Sequence, residues 1–279
     1  MGKGNNYAII NMDTGEIVQK IKGKTQDVTR QQYDFLKRRE KLCKNYNQKF
    51  IWVLYDGLCE YYPDIKPQSI TKLMYIVTYL GYKGYLAHDN HNIITKKDIY
   101  TKLNISRQQG DRFYKEMIQN DIFIEQDSKI YINESCFCRG DIEKTIKYRK
   151  GVTRIFSNNI RMLYKNTPIS HHGRLGYLFK TIPYAHKQYN ILCKNPYQEK
   201  FSQINPLSLD EFCDIIHYTK TNKRILIQEI CKNIHINKQP LISYEAYKNS
   251  PSKLFINPNL FYAGDNPKAV NTLGRFTLK

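Results

Sequence analysis

The sequence predicts an α+β chain, mostly helical with small β-hairpins, made of two tandem copies of one module behind a short N-terminal hairpin. Three observations predict it. The stretch KLFINPNLFYAGD at 253–265 repeats KIYINESCFCRGD at 129–141, at an offset of 124 (253 − 129). Lys253, Ile256, Asn257, Phe261, Gly264 and Asp265 match Lys129, Ile132, Asn133, Phe137, Gly140 and Asp141, and a repeat of this kind decides architecture before any single element does. Upstream of each copy the same series of capped helical stretches recurs. The chain, at 279 residues and 41% apolar, is also long enough for two modules of about 100–150 residues with apolar cores.

In chain order, Tyr7–Asn11 and Glu16–Ile21 flank Asp13-Thr-Gly15 as a hairpin. Two strands alone are marginal in water, so this arm (1–25) is expected to pack on the first module or on another chain. The first module spans 26–141, a charged and partly helical linker 142–153, and the second module 154–279. Phe50–Tyr62 and Ile155–Lys165 carry weak helical patterns. Ile70, Leu73, Met74 and Val77, and then Leu175, Leu178, Phe179 and Ile182, fall at i, i+3, i+4 and i+7, the stripe of an amphipathic helix. Gly81 and Pro183 are expected to end these helices.

Next come two capping boxes, Thr95-Lys-Lys-Asp98 and Ser208-Leu-Asp-Glu211, each opening a short helix at an offset of 113 (208 − 95). Only Asn104 and Ile105, or His217 and Tyr218, separate these from a second helix, which begins at Ser106-Arg-Gln-Gln109 or at Thr219. The pair alone fits a plain helical hairpin as well as a helix-turn-helix. The downstream segments favour the latter. Ile122–Gln126, Asp127-Ser128 and Lys129–Ile132 read as a β-hairpin, and Leu241–Tyr247 with Lys253–Ile256 read as a longer one, which would explain the growth of the offset from 113 to 124. A helix-turn-helix followed at once by a hairpin is a winged helix. The predicted fold is therefore two tandem winged helix-turn-helix domains, mostly α with small β wings, plus the N-terminal hairpin.

Charge suggests a partner. Lys and Arg number 44 against 25 Asp and Glu, a net +19, which favours a polyanion: nucleic acid first, an anionic membrane surface second. A composition rich in Lys, Asn, Ile and Tyr raises basic charge without function, so the position of the charge decides. In a winged helix the second helix enters the major groove. Its leading turns here carry Ser106, Arg107, Gln108, Gln109, Arg112 and Lys115 in the first copy, and Thr219, Lys220, Thr221, Asn222, Lys223, Arg224 and Gln228 in the second. Arg pairs bidentately with guanine and Asn or Gln with adenine, while Lys suits phosphate. Wing residues Lys129, Asn249 and Lys253 are expected on the DNA backbone or in the minor groove. Any one of these taken singly reads as a solvated helix face; two copies with the same chemistry are harder to dismiss.

Metal and catalytic sites are not expected. Cys136-Phe-Cys138 has one residue between its cysteines where zinc pairs have two to four, and its repeat partners are Leu260 and Tyr262. His171-His172 reads as an exposed loop pair. No phosphate-cradling glycine loop and no persuasive acid pair occurs, so no cofactor is expected and the chain reads as a non-enzyme. Seven scattered cysteines, no run of about 18 apolar residues and no secretory leader point to a cytoplasmic protein without a membrane partner, monomeric or homodimeric.

ITKKDIYTKLNISRQQGDRFYKEMIQNDIF followed by KIYIN, together with KLFINPNLFYAGD and the opening YAIINMDTGEIV, resembles the MarR-like winged-helix replication proteins of Gram-positive plasmids and phages. The likeness covers roughly residues 50–141 and 207–265. This chain departs from that pattern in having two copies, and in Glu134 where Pro is expected. The tandem arrangement is analogous to plasmid initiators that bind repeated origin sequences with two such domains. The resemblance implies sequence-specific binding of double-stranded DNA in replication initiation, with host replication proteins as further partners. A transcriptional regulator using the same surface is the alternative, a protein-contact role for the winged helices a third reading, and an enzyme acting on DNA the least favoured.

Overall fold

The computed structural model describes residues 7–10, 17–21, 49–61, 63–88, 92–140, 151–247, 250–264 and 276. Residues 1–47 and 48–279 form two compact units. In the first, β1 (Tyr7–Ile10) and β2 (Ile17–Ile21) pair antiparallel, with Tyr7 opposite Ile21. The expected Asp13-Thr-Gly15 turn lies outside the described residues, as do Asn249 and 142–150 of the expected linker.

The second unit is α+β and contains eight α-helices among its described residues. Its first half runs β3 (Phe50–Leu54), α1 (Tyr55–Tyr61), α2 (Pro67–Val77), α3 (Lys96–Leu103), α4 (Arg107–Gln119), β4 (Phe123–Gln126), β5 (Lys129–Ile132) and β6 (Phe137–Cys138). The second half runs β7 (Val152–Phe156), α5 (Ser157–Asn166), α6 (His172–Lys180), α7 (Leu209–Ile216), α8 (Lys223–Asn233), β8 (His235–Ile236), β9 (Gln239–Pro240), β10 (Ile242–Tyr247), β11 (Ser250–Ile256) and β12 (Phe261–Tyr262). The weak helical patterns at 50–62 and 155–165 are thus corrected: each opens as a strand and only then turns helical. FIWVL is apolar throughout, so it gives no alternation to read, although Ile51 and Val53 are buried while Phe50 and Trp52 are half-buried. Val152 and Thr153, at the end of the expected linker, belong to β7. Gly81 and Pro183 fall beyond the helices they were expected to end, which stop at Val77 and Lys180.

The two halves share one sheet and one core. The four-stranded antiparallel sheet has the order β12-β7-β3-β6, with β3 against β7 at its centre. Val53 pairs with Phe137 and its counterpart Ile155 pairs with Phe261, an offset of 102 (155 − 53). Ile51 meets Ile155 and Val53 meets Thr153, while Trp52 meets its own counterpart Arg154. This is the pairing of a local two-fold axis through Trp52 and Arg154. The same symmetry holds at the strand ends, where Tyr55 N–H donates to the Gly151 carbonyl (3.0 Å) and Ser157 N–H to the Lys49 carbonyl (2.8 Å). Trp52 Nε1 and Arg154 Nη2 donate to the carbonyls of the repeated glycines, Gly140 (3.1 Å) and Gly264 (2.6 Å). Gly140 sits at φ +105°, where a side chain would be strained.

Beneath the sheet α2 packs on α6 in one continuous apolar cluster that takes in Leu73, Met74, Leu178, Phe179, Phe113, Phe212, Leu226 and Phe261. Within residues 48–279 the expected divide between 141 and 154 therefore separates two topological copies inside one compact unit, while 26–47 of the expected first module fall in the other unit.

The copies agree in detail. Thr95 and Ser208 form capping boxes with Asp98 and Glu211. The first helices end on left-handed Asn104 (φ 51°) and His217 (φ 55°), so the turns into α4 and toward α8 share one conformation. Each hairpin closes on the repeated asparagine. Asn133 Nδ2 donates to the Asp121 carbonyl and its Oδ1 accepts from Ser135 N–H, both at 2.9 Å. Asn257 does the same with the Pro240 carbonyl and Asn259 N–H, both at 3.0 Å. Asn133 N–H bonds the Ile122 carbonyl and Asn257 N–H that of Leu241. The offset at the hairpin's start is therefore 119 (241 − 122). Of the eleven positions gained between α4 and the repeat, six come from an extra tight hairpin, β8–β9, inserted before β10, and five from the longer β10–β11 hairpin. The longer hairpin thus accounts for only part of the growth from 113 to 124.

Asn257 is fully buried and Asn133 is half-buried. Removing a buried partner strands a donor and an acceptor, at about 1–3 kcal/mol for each group, whereas water can replace the half-exposed one. Asn257→Ala is expected to cost about 3 kcal/mol and Asn133→Ala about 1 kcal/mol. Urea unfolding of both variants checks this, and equal costs would contradict the closure described.

Candidate nucleic-acid interface

Helix α4 begins where Ser106 Oγ accepts the Gln109 N–H (3.3 Å) and Gln109 Oε1 accepts the Ser106 N–H (3.4 Å). Gly110, Phe113, Tyr114 and Met117 face the core. Gly110 leaves room for the ring of Tyr100 from α3, whose hydroxyl donates to Asp111 Oδ1 (2.6 Å) and fixes the two helices against each other. The opposite face is open: Gln108, Arg112 and Lys115, at i, i+4 and i+7, are exposed, and the Arg107 side chain is 92% exposed. Asp111 meets Lys96 at 2.9 Å and Arg107 at 3.8 Å. The Tyr100 hydroxyl and then Lys96 hold its carboxyl below the ordinary range. Arg112 and Lys115 have no ion-pair partner among the described residues.

The second copy corrects two expectations. Thr219 does not cap the helix; it precedes a 3-10 turn over Lys220–Asn222, and α8 starts at Lys223 with Asn222 in the N-cap position. Three residues after Thr219 stands the shorter Asn222 rather than the Glu or Gln of a capping box, whereas Gln109 completes one with Ser106. Second, two of the expected phosphate-binding lysines are engaged. Lys220 meets Asp214 at 2.7 Å, which holds its ammonium above the ordinary range, and Lys223 meets Asp210 at 2.5 Å. Both acids lie on α7. Surface pairs of this kind are worth about 0–1 kcal/mol, so a phosphate could displace them. Arg224 and Gln228, at i and i+4, are exposed and face away from buried Leu226, Ile227 and Ile230; Thr221 and Asn222 are exposed beside them.

The hairpin lysines behave alike. Lys129 lies 5.2 Å from the Tyr85 ring centroid and Lys253 lies 5.1 Å from that of Phe201, both half-buried at the start of a strand or within it. Sequence reasoning missed Ile225, 54% exposed at the position equivalent to Arg112, together with Ile124 and Tyr244, which are 46% and 38% exposed on the two hairpins. An exposed isoleucine on such a helix has the chemistry to meet a thymine methyl. The offset of 113 between Arg112 and Ile225 is the signal that could have found it.

The remaining candidates fall to structural roles. Cys136 is fully buried, and Cys138 pairs with Trp52 at the sheet edge. His172 is not exposed: it opens α6, is 3% exposed, and its Nε2 lies 3.0 Å from the Thr167 carbonyl and 3.2 Å from that of Tyr164, while burial lowers its pKa. Glu211, bonded to Lys194 and the Ser208 cap, is pushed down to about 2. No group of three or more metal-type ligands converges among the described residues. Among them too, no helix is long and apolar enough to cross a membrane. Comparison with protein-family models, curated proteins and solved structures finds no match.

Proposed function

We propose that the chain is a sequence-specific double-stranded DNA-binding protein of a mobile element, a replication initiator that reads origin repeats with two winged helices. The observation that carries this reading is the exposure of Arg112, Lys115 and Arg224, without carboxylate partners among the described residues, on two helices at corresponding places in the two copies. Each of these helices follows a left-handed turn and precedes an antiparallel hairpin, the order of a winged helix, in which the second helix meets the major groove. The net charge of +19 supplies the long-range attraction.

On this reading one chain covers two half-sites about one helical turn apart. The half-sites differ in sequence, because Gln108, Arg112 and Lys115 face one and Thr221, Ile225 and Gln228 the other. Footprinting on the DNA of the parent element tests this. Protection of two adjacent unlike half-sites within a repeated origin is the expected result, protection at a promoter alone would favour a transcriptional regulator, and no protection of any duplex would remove the proposal.

A further inference from the structure

Where the two copies meet there is a cavity of about 220 Å³, below the roughly 300–1,000 Å³ of pockets for drug-sized ligands and ample for a small anion. Lys49, His88, Arg139 and Arg161 line it, with Ser157 and Asn158 from the first turn of α5, and among the described residues no carboxylate does. Arg161 is held in place rather than neutralised: its Nε donates to Thr78 Oγ1 and its Nη2 to the Thr78 carbonyl, both at 2.8 Å, with the guanidinium 3.8 Å from the Tyr79 ring centroid. Two of its five N–H donors are used, and the rest of the fork is uncommitted. Arg139 is fixed in the same way, by a 2.8 Å bond from Nη1 to the Leu80 carbonyl and by the Tyr82 ring. Lys49, Arg139 and Arg161 have no ion-pair partner among the described residues.

The local symmetry provides an internal control. At the offset of 102 that joins β3 and α1 to β7 and α5, Lys49 corresponds to Gly151, Arg161 to Cys59 and Asn158 to Asp56. At the repeat offset of 124, Arg139 corresponds to Ala263. His88 corresponds to Lys194, which is paired with Glu211. The space beside Gly151 is taken by the ring of Tyr55 and the hydroxyl of Tyr197. The same scaffold therefore closes without Lys49, Arg139 and Arg161 and with an acid in place of the amide, so the fold does not need the basic lining. Like charges converging with no counter-charge repel one another, and an anion relieves that repulsion while accepting pre-oriented guanidinium bonds.

We infer that this cavity binds a phosphate group, either of a free phosphorylated small molecule or of a nucleic-acid backbone. The inference stands apart from the DNA-binding reading, because inorganic phosphate alone tests it. The variant is Asn158→Asp, which installs the acid that the symmetric position already carries. A carboxylate in a helix's first turn suits its free amides, so this variant is expected to melt at or above the wild-type temperature. Gln203→Glu, an equal change of charge on an exposed residue outside the cavity, is the control.

Full-length protein is titrated with inorganic phosphate and, separately, with duplex DNA. Saturable phosphate binding that weakens at least about tenfold in Asn158→Asp and not in Gln203→Glu is the expected result for a free ligand. A duplex affinity that falls in Asn158→Asp alone, with no phosphate binding, assigns the group to the DNA backbone. If Asn158→Asp matches Gln203→Glu in both titrations, the inference is overturned.

Discussion

Gly176→Leu is expected to prevent residues 48–279 from folding, and Gly176→Ala to destabilise them by about 2 kcal/mol. Gly176 lies on α6, where that helix crosses α2. A Cβ built there collides with the carbonyl and Cα of Pro67, the first residue of α2. The symmetric position is Thr71, which faces the corresponding residue His172 and donates from Oγ1 to its carbonyl at 2.6 Å. One side of the crossing is therefore closed by a hydrogen bond and the other by the absence of a side chain.

Alanine in place of glycine in a helix normally gains about 0.5–1 kcal/mol. Here the neighbour is backbone at the start of a helix whose Leu73, Met74, Ile76 and Val77 are fully buried, so α2 cannot yield without opening the core. Overpacking of this kind costs about 1–3 kcal/mol for one added group and more for a branched chain, and so outweighs the propensity gain. Urea denaturation of Gly176→Ala and the solubility and circular dichroism of Gly176→Leu report the result. A Gly176→Ala protein more stable than wild type would show that α2 and α6 do not pack as described.

That crossing was not legible in the sequence, and the reason is general. The capping boxes at Thr95, Ser106 and Ser208, the Asp127-Ser128 turn and the apolar stripes of α2 and α6 are local patterns, and the structure carries each of them. The pairing of β3 with β7 joins residues about a hundred positions apart, and neither FIWVL nor VTRIF alternates in residue type although both alternate in burial, so 50–54 and 152–156 gave no strand signal. The repeat nonetheless pointed to the outer strands of that sheet: Phe137 and Phe261, which it matches, are the residues that pair with β3 and β7.

At the candidate interface the outward-facing residues on α4 and α8 could be read from helical periodicity. Their electrostatics could not. That Lys220 and Lys223 are engaged by Asp214 and Asp210 depends on the approach of α7 to the start of α8, and no spacing within either helix encodes it. The exposure of Ile225 escaped for the opposite reason, since an apolar residue on a helix is ordinarily assigned to the core.

The same electrostatics direct the second large effect. Reversing Arg112 and Arg224 together, as Arg112→Glu with Arg224→Glu, is expected to weaken duplex binding by about 100- to 10,000-fold, since an arginine on the duplex is worth about 1–3 kcal/mol. The two residues lie in different copies and share no partner, so their effects should add. Neither has an ion-pair partner among the described residues, so reversal removes attraction without breaking a bridge, and melting temperature should change little. Lys223→Glu is the contrasting case: it sets a carboxylate against Asp210 across a 2.5 Å contact and should lower stability as well as affinity.

A phosphate-dominated interface also predicts a shallower salt dependence for the double variant. The slope of log affinity against log salt should fall in magnitude by about 0.9 for each phosphate no longer neutralised, or about two in all if both arginines meet phosphate. A smaller change, with affinity reduced mainly for the cognate site, would assign the arginines to base edges. Fluorescence anisotropy with cognate and scrambled duplexes across a salt series separates these outcomes. Wild-type affinity in the double variant would remove α4 and α8 as the DNA-reading elements and leave these helices to a protein partner.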